Sequence, residues 1–257
     1  FTQWDVLNEA RWVGTGNYST LATTDQAKVL KALGNAAYLA GVGVPLSLAT
    51  GLAVALLLNG AARGMAAYRT FFYMPAIVPM VATAVLWIWM FEPSRGLINL
   101  ALGLVGIPGP HWLQDENWAK PALIIMGLWS AGGGLVIWLG GLKAIPEALY
   151  EAAAMDGAGP VRRFLHITLP MLTPYIFFNL VMGLIGTFQI FTQAYVMTAG
   201  GPANATLFYA YVLFNEAFRF LHLGYASGMA WILFAIVLVL TLIQLRYSKR
   251  WVHYQGD

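Results

Sequence analysis

The chain has 257 residues, 59% of them hydrophobic and 10% charged, with a formal net charge of +3 and no cysteine. Soluble domains carry about 25% charged residues, whereas here the apolar residues gather in runs near the ~20 residues that a membrane-crossing helix needs, so an integral membrane protein follows. Disulfides, thiolate metal sites and cysteine nucleophiles are excluded, and no basic cluster points to a nucleic acid.

Residues 1–34 are mixed and partly polar, with Trp4, Trp12 and Tyr18 placed to sit near lipid headgroups and with Asp25, Lys28 and Lys31 further on. They read as an external or interfacial segment. No signal peptide is visible, and the chain begins at Phe1 rather than Met. Residues 35–247 read as an all-α polytopic membrane domain, with spans at about 36–58, 71–91, 121–142, 173–198 and 228–246. A polar loop lies at 143–171 and a tail at 248–257. The apolar piece at 96–105 is too short to span, and 207–220, which carries Asn215, Glu216 and Arg219, reads as an interfacial helix. Pro45, Pro75, Pro79 and Pro174 and the run Gly132, Gly133, Gly134 fit kinks and close helix packing, with a gating hinge as the sharper alternative.

Five crossings divide the 14 Lys and Arg residues unequally. Arg63, Arg69, Lys143, Arg162, Arg163, Arg246, Lys249 and Arg250 fall on one side, and Arg11, Lys28, Lys31, Arg95, Lys120 and Arg219 on the other. The first side, richer by two and holding the tail, is expected to be cytoplasmic. Phe1 is then external, and an external start without a signal predicts a further span upstream.

The stretch P-E-A-L-Y-E-A-A-A-M-D-G-A-G-P-V-R-R-F-L-H-I-T-L-P, residues 146–170, is the most polar run between two apolar ones. Pro146 suits a helix start, Glu147 sits where the positive helix end favours an anion, and Ala148 through Met155 are strong helix formers. Asp156-Gly157 sets a turn, with Gly157 as left-handed stop, and Gly159-Pro160 opens a second short helix. On the first helix Ala148, Ala152 and Met155 share one face and Glu147 and Glu151 another. Phe164, Ile167 and Leu169 are expected to pin the second. A thin helical elbow of this kind is shaped for docking.

Within it, Glu151-Ala152-Ala153, Gly157, Ile167, Leu169 and Pro170 resemble, at matching spacing, the loop motif of ABC importer permeases, and Met155, Asp156 and Ala158 lie inside that motif. W-V-G-T-G-N-Y, F-F-Y-M-P-A-I-V-P, W-I-W-M-F-E-P-S-R-G-L-I-N and V-M-T-A-G-G-P-A-N-A-T are similar to segments of sugar permeases of the maltose and glycerol-phosphate branch. The resemblance implies the ABC importer permease fold with a cytoplasmic coupling helix, in a bacterial or archaeal cytoplasmic membrane, with the C-terminus inside. It implies import of an oligosaccharide or a related polyol or glycoside. The implied partners are a second, non-identical permease chain, two ATPase subunits that bind ATP and Mg, and an external solute-binding protein. Glu151 is then expected to make a charge-assisted contact with an Arg of the ATPase or within the loop itself.

No G-x-x-x-x-G-K-[ST] loop is present, so ATP hydrolysis by that route is left to a partner. For the solute path, Gly186, Gln189 and Gln193 are spaced to share one helical face, with Phe188 and Thr192 beside it. Amides next to an aromatic ring suit a neutral sugar, although hydrogen bonding between helices is an equal alternative. Trp87, Trp129 and Trp138 are further candidates, with core packing as the plainer reading. His111, His166, His222 and His253 have no metal-ligand spacing, and no metal site is expected. An ion-coupled secondary transporter is the rival reading and calls for inverted repeats, broken helices and buried ionisable groups. An intramembrane enzyme lacks a catalytic constellation here.

Overall fold

The computed structural model describes residues 1–5, 7–60 and 63–253. Apart from a two-stranded ribbon, β1 (Thr2–Gln3) paired antiparallel with β2 (Arg11–Trp12), it is built of helices: α1 (Gly16–Ala22), α2 (Gln26–Leu58), α3 (Met65–Ile77), α4 (Met80–Met90), α5 (Leu97–Leu104), α6 (Ala119–Trp129), α7 (Ala131–Ala144), α8 (Glu147–Met155), α9 (Pro160–Met171), α10 (Thr173–Phe188), α11 (Tyr209–Phe214) and α12 (Leu223–Ser248). Among the described residues α2 and α12 are long and apolar enough to cross a membrane alone, and counting each of three bent pairs as one span raises the total to five.

Proline and glycine set the breaks. Pro45 has no N–H and crowds the carbonyl four residues back, and α2 widens into a π turn at Leu39–Gly43 just before it. Pro79 holds Val78 extended and separates α3 from α4. Between α9 and α10, Pro174 lacks the donor that would reach the Pro170 carbonyl. The Thr173 hydroxyl donates to it instead, at 2.6 Å. At Gly132 a Cβ would stand 1.9 Å from the Phe72 carbonyl oxygen, so only glycine lets these backbones meet.

Contacts divide the chain into two compact units. The first holds Phe1–Gly43, Pro79–Met126 and Leu184–Leu240; the second holds Val44–Val78, Gly127–Gly183 and Thr241–Asp257. The chain passes between them five times, at 43/44, 78/79, 126/127, 183/184 and 240/241, each passage falling inside one of the five apolar runs. The charge partition follows the same division: the eight Lys and Arg residues assigned to one side all lie in the second unit and the six others in the first.

In the second unit the core is Ala55, Leu58, Leu135, Trp138, Leu142, Ile145 and Leu172, with Tyr150, Ile167, Met171 and Tyr175 packed against it. Apolar burial of this kind contributes about 25 cal/mol per Å². Trp138 therefore belongs to the core. In the first unit Trp87, Phe91 and Trp112 form a chain of rings 5.0 and 5.4 Å apart.

Residues 207–220, expected as an interfacial helix, pack into the first unit and add no span to the five. Phe208 and Tyr209 are fully buried inside the first unit, and the Tyr209 hydroxyl donates to the Met229 carbonyl at 3.0 Å. Glu216, on the π turn that continues α11, is buried because its carboxylate has partners: Lys28 Nζ at 2.9 Å and His222 Nδ1 at 3.1 Å.

Candidate functional site

The elbow lies within the second unit. Glu147 occupies the first turn of α8, which follows Pro146 in an extended conformation. At the other end Gly157 takes a φ of +74°, and the closing bonds form a Schellman motif: Ala158 N–H donates to Ala153 O at 2.8 Å and Gly157 N–H to Ala154 O at 3.0 Å. A residue with a Cβ strains at that φ, so the glycine and the small residue after it follow from backbone closure. Gly159 then caps α9 and Pro160 opens it.

None of the nine residues of α8 is buried. Tyr150 and Ala153, three apart, are half-buried and form the seated face. Glu147, Glu151, Ala152, Asp156 and Gly157 are exposed, Ala158 is half-buried, and Met155 is 89% exposed. Leu149, Val161 and Leu165 add further exposed apolar surface. Among the described residues Glu151 has no hydrogen bond or ion pair, so the alternative of a contact inside the loop is not realised. Phe164, Leu169 and Pro170 are half-buried, and Ile167 packs against the core.

Two residues that sequence reading missed complete the elbow. Tyr150 Oη and Thr168 Oγ1 share a hydrogen bond of 2.8 Å, with Thr168 buried. The available signal was a single ring on an otherwise thin alanine helix; its partner, 18 residues away, carried none.

The fourth run departs from expectation. Gly186, Gln189 and Gln193 do not share a helical face, because α10 ends at Phe188. Gln189 N–H reaches back to Gly186 O at 3.2 Å and Ile190 N–H to Thr187 O at 3.4 Å, the tightened bonds of a helix end. The run T-F-Q-I-F-T-Q is rich in β-branched and aromatic residues of low helix propensity. Gly186 and Gln189 are exposed and Phe188 is buried, while Thr192 and Gln193 open the next turn half-buried. Trp87 is 6% exposed and sits in the aromatic chain of the first unit, so its place on a solute path is replaced by core packing. Trp129 is partly exposed in the second unit.

Beside Gln193 stands an aromatic cluster that sequence reading also missed. Phe191 stacks on Tyr195 at 5.3 Å and meets Phe214 at 4.6 Å. Tyr195 is exposed and borders a recess of about 570 Å³ shared with Ile88, Gln114, Thr198 and Pro202. The spacing of Phe188, Phe191 and Tyr195 at helical intervals was the available signal. The turn that follows is held by a buried amide: Asn35 Nδ2 donates to Asn204 O at 2.8 Å and to Leu207 O at 2.9 Å, and Lys120 Nζ donates to Asn35 Oδ1 at 3.3 Å.

Comparison with known proteins bears on the whole chain. The family described as "Binding-protein-dependent transport system inner membrane component" matches residues 43–253. The probable ABC transporter permease protein YesP of Bacillus subtilis is 43% identical over 260 residues, covering 100% of this chain and 84% of its own. The sn-glycerol-3-phosphate transport system permease protein UgpA of Yersinia pestis is 35% identical, over 96% of this chain and 83% of its own. The sulfoquinovosyl glycerol transport system permease protein SmoG of Agrobacterium fabrum is 34% identical, over 93% and 78%. Among solved structures, a bacterial ABC transporter involved in the import of the acidic polysaccharide alginate superposes with a TM-score of 0.81 at 23% identity, over 93% of this chain and 84% of that one. An inward-facing MetNI methionine ABC transporter gives 0.62 at 16% identity, over 90% and 99%. These superpositions establish the ABC importer permease fold.

Proposed function

The chain belongs to the family of binding-protein-dependent transport system inner membrane components, membrane permease subunits of ABC importers that are not themselves enzymes, and from that premise we propose that it admits a sugar to the cytoplasm on energy delivered through α8. The solute is an oligosaccharide or a related polyol or glycoside. Glycerol phosphate, sulfoquinovosyl glycerol and alginate, named for the relatives and the neighbour, are all polyhydroxylated. Exposed Gln189 and Tyr195, with half-buried Thr192 and Gln193, supply the amides, hydroxyls and ring that such a solute needs. The ion-coupled alternative has no support from the family or the relatives.

One observation carries the reading. In an otherwise apolar chain, a helix closed by a Schellman turn presents two carboxylates, Glu147 and Glu151, with Asp156 at its C-cap and an exposed methionine, and no residue of its own is buried. A partner that covers this face would desolvate Met155, Val161 and Leu165 and could offer Glu151 an arginine. The partners are two ATPase subunits that bind ATP and Mg, a second, non-identical permease chain and an external solute-binding protein. The second unit, with its surplus of Lys and Arg and the C-terminal tail, faces the cytoplasm.

The test is purification of the assembled complex, followed by uptake in proteoliposomes. ATPase subunits should co-purify, and labelled oligosaccharide should enter only with ATP and the loaded binding protein. Uptake on an ion gradient without ATP overturns the reading.

A further inference from the structure

We propose that the hydroxyl pair of Tyr150 and Thr168 is the positioning link through which displacement of α8 reaches the foot of α10. The inference rests on the docking reading given above. A helix of nine residues is marginal by itself, so α8 must be held by what it touches. The Tyr150 ring packs against the core of the second unit, and its hydroxyl meets Thr168 Oγ1 at 2.8 Å. Among the described residues this is the side-chain hydrogen bond that joins α8 to the helix after it.

Thr168 has a second attachment. Its carbonyl accepts the N–H of Leu172 at 3.0 Å, and Leu172 is fully buried in the core of the same unit. Thr173, the next residue, begins α10 and bonds back to the Pro170 carbonyl. Thr168 therefore holds α8 by its side chain and the base of α10 by its backbone. Ring packing alone lets α8 slide over the core, because apolar contact is non-directional. The directional hydroxyl bond fixes the helix to one residue of α9, so that a push on α8 must move Thr168 as well.

The experiment uses the complete complex, with its ATPase subunits and binding protein, reconstituted in liposomes. The reading is the labelled oligosaccharide of the uptake assay imported per ATP hydrolysed. Tyr150→Phe keeps the ring and removes the hydroxyl; Thr168→Val keeps the branched shape and removes the hydroxyl. Each should lower the ratio by about three- to tenfold, the worth of one hydrogen bond, and the double variant should fall no further than the lower single one. Thr168→Ser, which keeps the hydroxyl, should retain the unsubstituted ratio. It keeps the test readable if Thr168→Val does not fold.

An unchanged ratio in Tyr150→Phe, a ratio lowered in Thr168→Ser, or a double variant that falls by the product of the two singles overturns the link. ATPase co-purification from the same samples separates the two ideas. ATPase retained with an unchanged ratio removes the hydroxyl link alone, whereas an unsubstituted complex without ATPase removes the docking reading and the link with it.

Discussion

Lys28 Nζ stands 2.9 Å from Glu216 Oε1, across 188 residues of sequence. The other carboxylate oxygen meets His222 Nδ1, and the Glu216 carbonyl accepts the His222 N–H at 2.8 Å. Glu216 is 7% exposed, whereas the Lys28 side chain is 37% exposed. The acid is therefore the more desolvated member and depends on its partners. Lys28→Met leaves the buried carboxylate with His222 alone and should destabilise the protein by about 1–3 kcal/mol. Glu216→Gln, which still accepts a bond from Lys28, should lose less. Thermal unfolding in detergent reads both, and an unshifted midpoint in Lys28→Met would remove the pair from the forces holding the first unit together.

Gly157 tests whether the elbow works through its shape. A Cβ there meets nothing within 4 Å, so substitution acts through the backbone φ of +74° alone. Valine is strained in that region by about 1–2 kcal/mol, while asparagine tolerates it. Gly157→Val should open the Schellman closure, re-aim the chain toward Pro160 and lower ATP-dependent uptake about tenfold. Gly157→Asn should transport nearly as well as the unsubstituted protein. Equal uptake by both variants would show that the turn geometry does not matter to transport.

The parts legible in the sequence are those dictated by local chemistry. Gly157 as a left-handed stop, Gly159-Pro160 as a helix start and the five apolar runs each follow from residue types within a few positions. The Lys and Arg partition follows from the order of those runs. What was not legible is long-range or weakly encoded. Tyr150 and Thr168, or Lys28 and Glu216, meet only because the helices between them fold, and no spacing rule links them. The end of α10 at Phe188 has neither glycine nor proline after it, only a stretch of modest helix formers that an apolar run conceals. Trp87 is by sequence a path candidate with core packing as the plainer reading, and the neighbouring Phe91 and Trp112 rings decide for core.

That helix end sharpens the expectation for the solute path. Gln189 is exposed where α10 stops, and Gln193 starts the following turn beside the Phe191 and Tyr195 rings. A hydrogen bond to a sugar hydroxyl is worth about 0.5–1.5 kcal/mol net, so Gln189→Ala should raise the half-saturating solute concentration about three- to tenfold or shift the preference among sugars. Tyr195→Ala should weaken transport of sugars with an apolar ring face more than that of linear polyols. Competition uptake with a panel of sugars reads both effects. Unaltered kinetics in Gln189→Ala would take that residue off the path.

Orientation can be read with two cysteine substitutions, since these 257 residues hold no cysteine that would label beside the introduced one. Leu7 is 82% exposed in the first unit, and Met155 is the exposed methionine of α8 in the second. An exposed thiol has a pKa of about 8.5 and reacts readily near pH 8 with a charged maleimide that does not cross lipid. In intact cells Leu7→Cys should label and Met155→Cys should not. In inside-out vesicles stripped of ATPase the pattern should reverse. Re-addition of ATPase subunits should then protect Met155→Cys, because the face of α8 that carries it is the one assigned to the partner. Labelling of Met155→Cys in intact cells would place the elbow outside and overturn the assigned orientation. Labelling from the cytoplasmic side that ATPase does not diminish would leave the orientation standing and move the docking face off Met155.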